Sequence, residues 1–196
     1  MQTIEIEGIK IEQPSFLIKK RVLILHGWGG SAYPHWQAHL EKDLLNHGAY
    51  EVHFPSLPKK DNPNLDSWLL ALDFEINTFK PEIIVCHSLA NILWFHYVNQ
   101  KKMNYNLEKL MLVSPVSINC KIPELESFFP YKLPIDLKSD LSIMASSDND
   151  PYISVDELYE ISNKLGIGLK ILENAGHINT ESGYGKLSCA YDWIVS

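Results

Sequence analysis

Six short runs of aliphatic and β-branched residues, each about a strand long, recur along the chain with helix-patterned segments between them. This alternation constrains the fold more than any other feature of the sequence. The runs are Arg21–His26, Tyr50–Phe54, Glu82–Cys86, Lys109–Val113, Leu141–Ala145 and Leu169–Glu173. Several are nearly continuously apolar, as strands covered on both faces must be. Helical patterns fall at Trp36–Leu45, Leu65–Phe79, Leu89–Val98, Val155–Leu165 and Lys186–Ile194. Strand and helix in alternation predict an α/β fold of three layers, a mainly parallel sheet of about six strands flanked by helices. The rhythm breaks once, over residues 114–140, where Pro115, Pro123, Pro130 and Pro134 and the cluster ESFFPYKL separate two strands. That segment is expected to be a small cap inserted over the sheet's edge. At the start of the chain, MQTIEIEGIKIEQPSFLIKK alternates apolar and polar residues, which suggests an added strand or hairpin.

In open parallel sheets, function sits outside the carboxyl ends of the strands. Read in order, those ends carry His26-Gly27-Trp28-Gly29-Gly30, Cys86-His87-Ser88-Leu89-Ala90, Ser146-Ser147-Asp148-Asn149-Asp150-Pro151 and Ala175-Gly176-His177. A glycine loop, a serine, an acid and a histidine therefore share one rim. A serine hydroxyl is a poor nucleophile unless a base stands within hydrogen-bond reach and a third group fixes the base's tautomer. Ser88, His177 and Asp150 can fill those roles, each on a loop after its own strand. Alone, Ser88 reads equally as a helix cap, because Cys86 and Ala90 stand where a nucleophile elbow has glycines. Both replacements are small, so the elbow is altered without being destroyed. The oxyanion of an acyl-transfer intermediate needs two backbone N–H donors. The residue after the nucleophile, Leu89, and Trp28 in the glycine loop are the candidates. For the acid, Asp148 and Asp150 stand two apart and spacing does not choose between them, although Pro151 holds Asp150 away from the helical region. Trp28, Phe128, Phe129 and Tyr131 are candidates for an apolar acyl pocket; the alternative is that the aromatics pack the insertion onto the sheet.

HWQAH, His35 to His39, offers two imidazoles at metal-ligand spacing. The zinc-protease pattern needs a glutamate where Trp36 stands, and no third ligand is near, so neither a metal nor another cofactor is expected. The remaining histidines His47, His53 and His96 read as structural or exposed.

The chain's 196 residues, 45% of them hydrophobic, suit one domain over residues 1–196. A net charge of −7 argues against nucleic acid or an anionic membrane as partner, and Lys101–Lys102 is too short a basic cluster to alter that. Cys86, Cys120 and Cys189 are odd in number and far apart, which excludes a disulfide framework and a C-x-x-C site. The first residues lack a signal-peptide pattern, and no apolar run approaches the roughly 18 residues of a membrane span. A soluble, cytoplasmic monomer or small homo-oligomer acting on a small-molecule ester is the expectation.

Together, LILHGWGGSAYPHWQ, VCHSLAN, ASSDNDPYIS and AGHINTESGYG resemble the small single-domain serine hydrolases of the retinoblastoma-binding protein nine type, a branch of the α/β-hydrolase superfamily. The chain order Ser88, Asp150, His177 is that of the superfamily. The resemblance runs from about Arg21 to the end of the chain and implies an α/β-hydrolase fold. It also implies a triad of Ser88, Asp150 in a D-P motif and His177 in a G-H motif, with esterase-like activity. Cys86 and Ala90 depart from its pattern. A second class of function, a hydrolase fold serving as a binding module, also follows from it. The namesake's association with retinoblastoma-type pocket proteins runs through an L-x-C-x-E motif, and the nearest match here, LSCAY at Leu187 to Tyr191, lacks the glutamate and falls in a predicted helix.

Overall fold

The computed structural model describes residues 18–100 and 103–196 in full and, ahead of them, the backbone of two strands. The Lys101–Lys102 cluster lies outside the described residues. The first two strands, β1 (Gln2–Ile6) and β2 (Ile9–Gln13), pair antiparallel with Ile6 opposite Ile9, so the N-terminal alternation forms a hairpin and a separate two-stranded sheet.

The main sheet contains β3 (Lys20–Leu25), β4 (Tyr50–His53), β5 (Ile83–His87), β6 (Leu107–Val113), β7 (Ser139–Ser147) and β8 (Gly168–Leu172). Their order is β4-β3-β5-β6-β7-β8, and every neighbouring pair is parallel. The chain steps from β3 out to β4, returns past β3 to β5, then proceeds strand by strand to β8. Connections from β3 and β5 thus leave in opposite directions, and such a reversal opens a crevice between the two carboxyl ends.

The apolar runs are explained by their two sides. Leu23, Leu25, Ile84, Cys86, Leu110 and Leu112 join one core, while Val22, Ile24, Ile83, Val85, Met111 and Val113 join the other. Successive side chains point to opposite faces, so a strand buried on both sides has no polar position to offer. Helices α1 (Trp36–His47) and α5 (Ser188–Val195) cover the second core. Helices α2 (Leu65–Thr78), α3 (Leu89–Gln100) and α4 (Val155–Leu165) cover the first. Of these, α3 follows β5 directly and is apolar nearly all round, with Leu89, Ala90, Ile92, Leu93, Trp94 and Phe95 all buried. The ends of α4 are specified locally, by a capping box between Ser154 and Glu157 and by Gly166 at φ 66°. LSCAY lies at the start of α5, with Leu187 and Ala190 buried.

The insertion corrects one expectation. It joins β6 to β7, which are interior neighbours in the sheet, so it lies over the carboxyl rim and the α2/α3 side and leaves the sheet's edges alone. A 3₁₀ turn (Pro123–Phe128) forms its centre. Polar contacts fasten it: His96 Nε2–H donates to Phe128 O at 2.9 Å, Trp94 Nε1–H to Leu137 O at 3.2 Å and Asn99 Nδ2–H to Lys132 O at 2.8 Å.

Candidate active site

β5 ends at His87, and the next residue turns the chain sharply into α3. Ser88 makes that turn at φ 56°, a left-handed conformation that costs a non-glycine residue on the order of 1–3 kcal/mol and needs surrounding contacts to hold it. Those contacts are present. Ser88 N–H donates to Val113 O at 2.9 Å, and the Asn91 side-chain amide donates at 2.8 Å to both Ser88 O and Val113 O. Cys86 and Ala90 are fully buried on either side of the turn, so the sheet and helix accept them in the glycine positions. Burial pushes the Cys86 thiol far above its ordinary pKa, so it stays a neutral, inert part of the core beside the turn.

The turn delivers Ser88 Oγ to 2.8 Å from His177 Nε2. On the far side of the same ring, His177 Nδ1–H donates to Asp150 Oδ1 and Oδ2 at 3.0 and 2.9 Å. The bond to Asp150 fixes the proton on Nδ1 and leaves Nε2 as the acceptor for the serine proton. Asp150 Oδ1 is held in turn by Tyr152 N–H at 2.9 Å, and the Tyr152 ring meets the His177 ring edge-on at 4.6 Å. Asp148 does something else. Its Oδ1 accepts Asn174 N–H at 2.7 Å, bracing the loop that leads to His177.

The His177 loop is held by side chains from the carboxyl end of β7 and from within the loop itself. Asn149 Oδ1 accepts Gly176 N–H at 2.7 Å, Ser147 Oγ accepts Ala175 N–H at 2.9 Å and Ser182 Oγ accepts His177 N–H at 3.0 Å. His87 Nε2–H donates to His177 O at 3.0 Å and so ties the serine turn to the His177 loop. Burial holds the His87 pKa well below the ordinary histidine value. Sequence reasoning missed Asn91, His87, Ser147, Asn149 and Ser182, since none forms part of a local pattern. The one available signal was the place of His87, Ser147 and Asn149 at or just past strand ends; Asn91 in α3 and Ser182 in the loop after β8 carried none.

On the other wall, the glycine loop approaches the serine closely. A Cβ at Gly27 would lie 2.7 Å from Ser88 Cβ, so only glycine fits. His26 holds this loop from below: its Nδ1–H donates to Gly27 O at 2.7 Å and its Nε2 accepts Leu57 N–H at 2.8 Å. Both ring nitrogens are thereby used. Among the described residues, neither Trp28 N–H nor Leu89 N–H has a hydrogen-bonded partner.

A cavity of about 470 Å³ opens above Ser88 and His177. Val116, Ile122 and Leu125 of the insertion form an apolar wall, with Trp28 and Tyr152 beside it, and His35, Asn179, Thr180 and Glu181 are polar parts of its lining. Of the predicted pocket aromatics only Trp28 lines it. Phe128 is fully buried against Trp68, and Tyr131 is buried with its hydroxyl donating to Val116 O at 3.0 Å. Phe129 lines a different depression with Pro123 and Pro130. These three rings pack the insertion down, and smaller aliphatic side chains are what face the serine. The spacing of His35 and His39 is not that of two positions on one helix: His35 is the extended N-cap of α1, and its Nδ1 accepts Gln37 N–H at 3.2 Å. His39 packs on Tyr33, and no metal-binding group of His, Cys, Asp and Glu occurs among the described residues.

The fold is that of the α/β hydrolases, and the strained Ser88 stands at its turn from β5 into α3. The chain belongs to the serine hydrolase family, whose sequence model matches residues 22–195. No curated protein matches the sequence. Among solved structures, the chain is similar to the ydeN gene product of Bacillus subtilis, at 22% identity and a TM-score of 0.79, covering 90% of this chain and 97% of that one. It is also similar to a YdeN-like hydrolase from Pectobacterium atrosepticum, at 21% identity and a TM-score of 0.68, covering 90% and 89%. Est1E from Butyrivibrio proteoclasticus, in a structure with bound ferulic acid, aligns at 11% identity and a TM-score of 0.69, covering 100% and 98%. Among the described residues, no helix is long and apolar enough to cross a membrane.

Proposed function

We propose that the protein is a carboxylesterase acting on small or medium acyl esters through an acyl-enzyme, a cytoplasmic member of the retinoblastoma-binding protein nine branch of its superfamily that works without metal or cofactor. The observation that carries this reading is the unbroken relay from Ser88 Oγ to His177 Nε2 at 2.8 Å and from His177 Nδ1 to Asp150 at 2.9 Å. In it, Ser88 Oγ attacks the ester carbonyl as its proton passes to His177 Nε2. The carbonyl oxygen, now an oxyanion, takes hydrogen bonds from Trp28 N–H and Leu89 N–H. His177 returns the proton to the departing alkoxide, the C–O bond breaks, and the acyl group stays on Ser88. Water, deprotonated by the same nitrogen, then releases the carboxylic acid. The cavity of about 470 Å³ supports the size limit, since long lipid chains need more room.

A fluorophosphonate probe is expected to label the protein at Ser88, and Ser88→Ala to remove both labelling and hydrolysis of p-nitrophenyl butyrate. Labelling that survives the substitution overturns the assignment. An unlabelled, inactive wild-type protein favours the binding-module alternative.

A further inference from the structure

His35 is placed to read the substrate. It lines the same cavity as Ser88, and its ring lies 4.9 Å from that of His87, whose own ring lies 5.2 Å from that of His177. The residue is buried, with 5% of its surface exposed, and the only hydrogen bond of its side chain among the described residues is the one in which Nδ1 accepts Gln37 N–H. A nitrogen that accepts from a backbone N–H carries no proton, so in the neutral ring the proton must sit on Nε2. Nε2 has no protein partner, yet it does not belong to the sealed polar atoms left unsatisfied in the interior. It opens on the cavity. Burial, together with the nearby His177 and His26, lowers the His35 pKa to about 4, so the ring is neutral near pH 7.

The helix cap therefore fixes His35 as a donor-only group aimed at bound substrate. The remaining lining sharpens what it would meet. Asp61 and Glu181 lie on the cavity's wall, no lysine or arginine does among the described residues, and the neighbouring Lys60 Nζ is engaged by Gly29 O at 2.7 Å and Asp61 at 3.2 Å. An anionic substrate gains nothing from such a surface. From this we infer that His35 Nε2–H is a specificity determinant that selects uncharged esters bearing a hydrogen-bond acceptor, an ether, carbonyl or hydroxyl oxygen, in place of purely hydrocarbon chains. The inference builds on the reading of Ser88 as nucleophile but concerns binding, and it is tested by binding.

The test uses Ser88→Ala protein and a series of uncharged N-alkyl amides in which one methylene at a time is replaced by an ether oxygen on either side of the carbonyl. Calorimetric Kd values for each are compared with the all-carbon parent, and repeated in the Ser88→Ala, His35→Ser double variant. Serine keeps an N-cap acceptor for Gln37 N–H while removing the ring donor. One ether position is expected to bind at least about threefold more tightly than the parent, the scale of one neutral hydrogen bond, and to lose that advantage with His35→Ser. If no position gains, or the gain persists without His35, the inference fails. Should His35→Ser not fold, His35→Asn serves, since Asn64 caps α2 in that way and its short amide does not reach where Nε2 stands. Fluorophosphonate labelling of the wild-type protein reports separately on Ser88.

Discussion

Gly27 shows what one absent side chain does for the site. An added Cβ would stand 2.7 Å from Ser88 Cβ and 3.1 Å from both Ser88 Oγ and His87 O. Neither neighbour can swing aside: Ser88 Cβ is fixed by a left-handed backbone, and His87 O belongs to the last residue of β5. Gly27→Ala must therefore displace the glycine loop, and with it Trp28 N–H. If that N–H stabilises the oxyanion, kcat for p-nitrophenyl butyrate falls by about 10² to 10³ while circular dichroism stays native. The two aspartates separate by the same kind of reasoning. Asp150→Asn presents an amide to His177 Nδ1 and can hold the ring in the wrong tautomer, so a kcat loss of about 10⁴ is expected by analogy with the equivalent change in a serine protease. Asp148→Asn keeps an oxygen for Asn174 N–H and should cost less than about tenfold. Steady-state kinetics on the two folded variants ranks them, and the reverse order would transfer the acid role to Asp148.

At the scale of elements, the junction of β5 and α3 was readable because its apolar run stops at a His-Ser pair and resumes at helical spacing. The rim was readable for a related reason: a parallel sheet places every strand's carboxyl end on one side, so Gly27, Ser88, Asp150 and His177 had to meet once their strands were found. What the sequence hid are contacts between elements distant in the chain. His87 looks the same in a sequence whether it is exposed or buried under the His177 loop, and Asn91 resembles any polar residue in a helix. For the aromatics Phe128, Phe129 and Tyr131 the sequence leaves two readings open, because large apolar rings suit a pocket wall and a packed insertion equally, and only the path of residues 114–140 decides. That path follows from β6 and β7 being neighbours, which the order of runs does not state. Asn91 tests the importance of the junction. Asn91→Leu removes two donors from buried carbonyls that each keep one other partner, and is expected to destabilise the fold by about 1–3 kcal/mol in urea titration. Asn91→Asp, with a carboxylate turned toward the same two carbonyls, should cost more.

Across the whole molecule, three histidines, His26, His35 and His87, are buried at the carboxyl rim, and in each burial lowers the pKa. The His35 and His87 rings lie 4.9 Å apart and the His87 ring lies 5.2 Å from that of His177, while His26 packs against Trp68. A proton on His35 or His87 is therefore opposed by desolvation and by neighbouring histidines, and one on His26 by desolvation and Lys60. This arrangement links the site to global stability. Above the ordinary histidine value of 6.5 these rings are neutral in both folded and unfolded chains, and their contribution is flat. As pH falls below 6.5 the unfolded chain takes up protons that the folded rings refuse, and stability is lost. For His35 the loss runs from pH 6.5 down to about 4, where the folded ring also protonates, and at 1.36 kcal/mol per pH unit it reaches roughly 3 kcal/mol. His26 and His87 add losses of the same sign. Carboxylates also change stability in this range, so the comparison must be between variants. Urea unfolding of wild-type and His35→Ser protein, followed from pH 7.5 to pH 4, is expected to show the variant losing less stability than the wild type, by an amount on the order of 2–3 kcal/mol at the acid end. Parallel curves over that range would mean that His35 protonates as readily in the folded protein as in the unfolded chain, and that its burial beside His87 leaves its charge unpenalised.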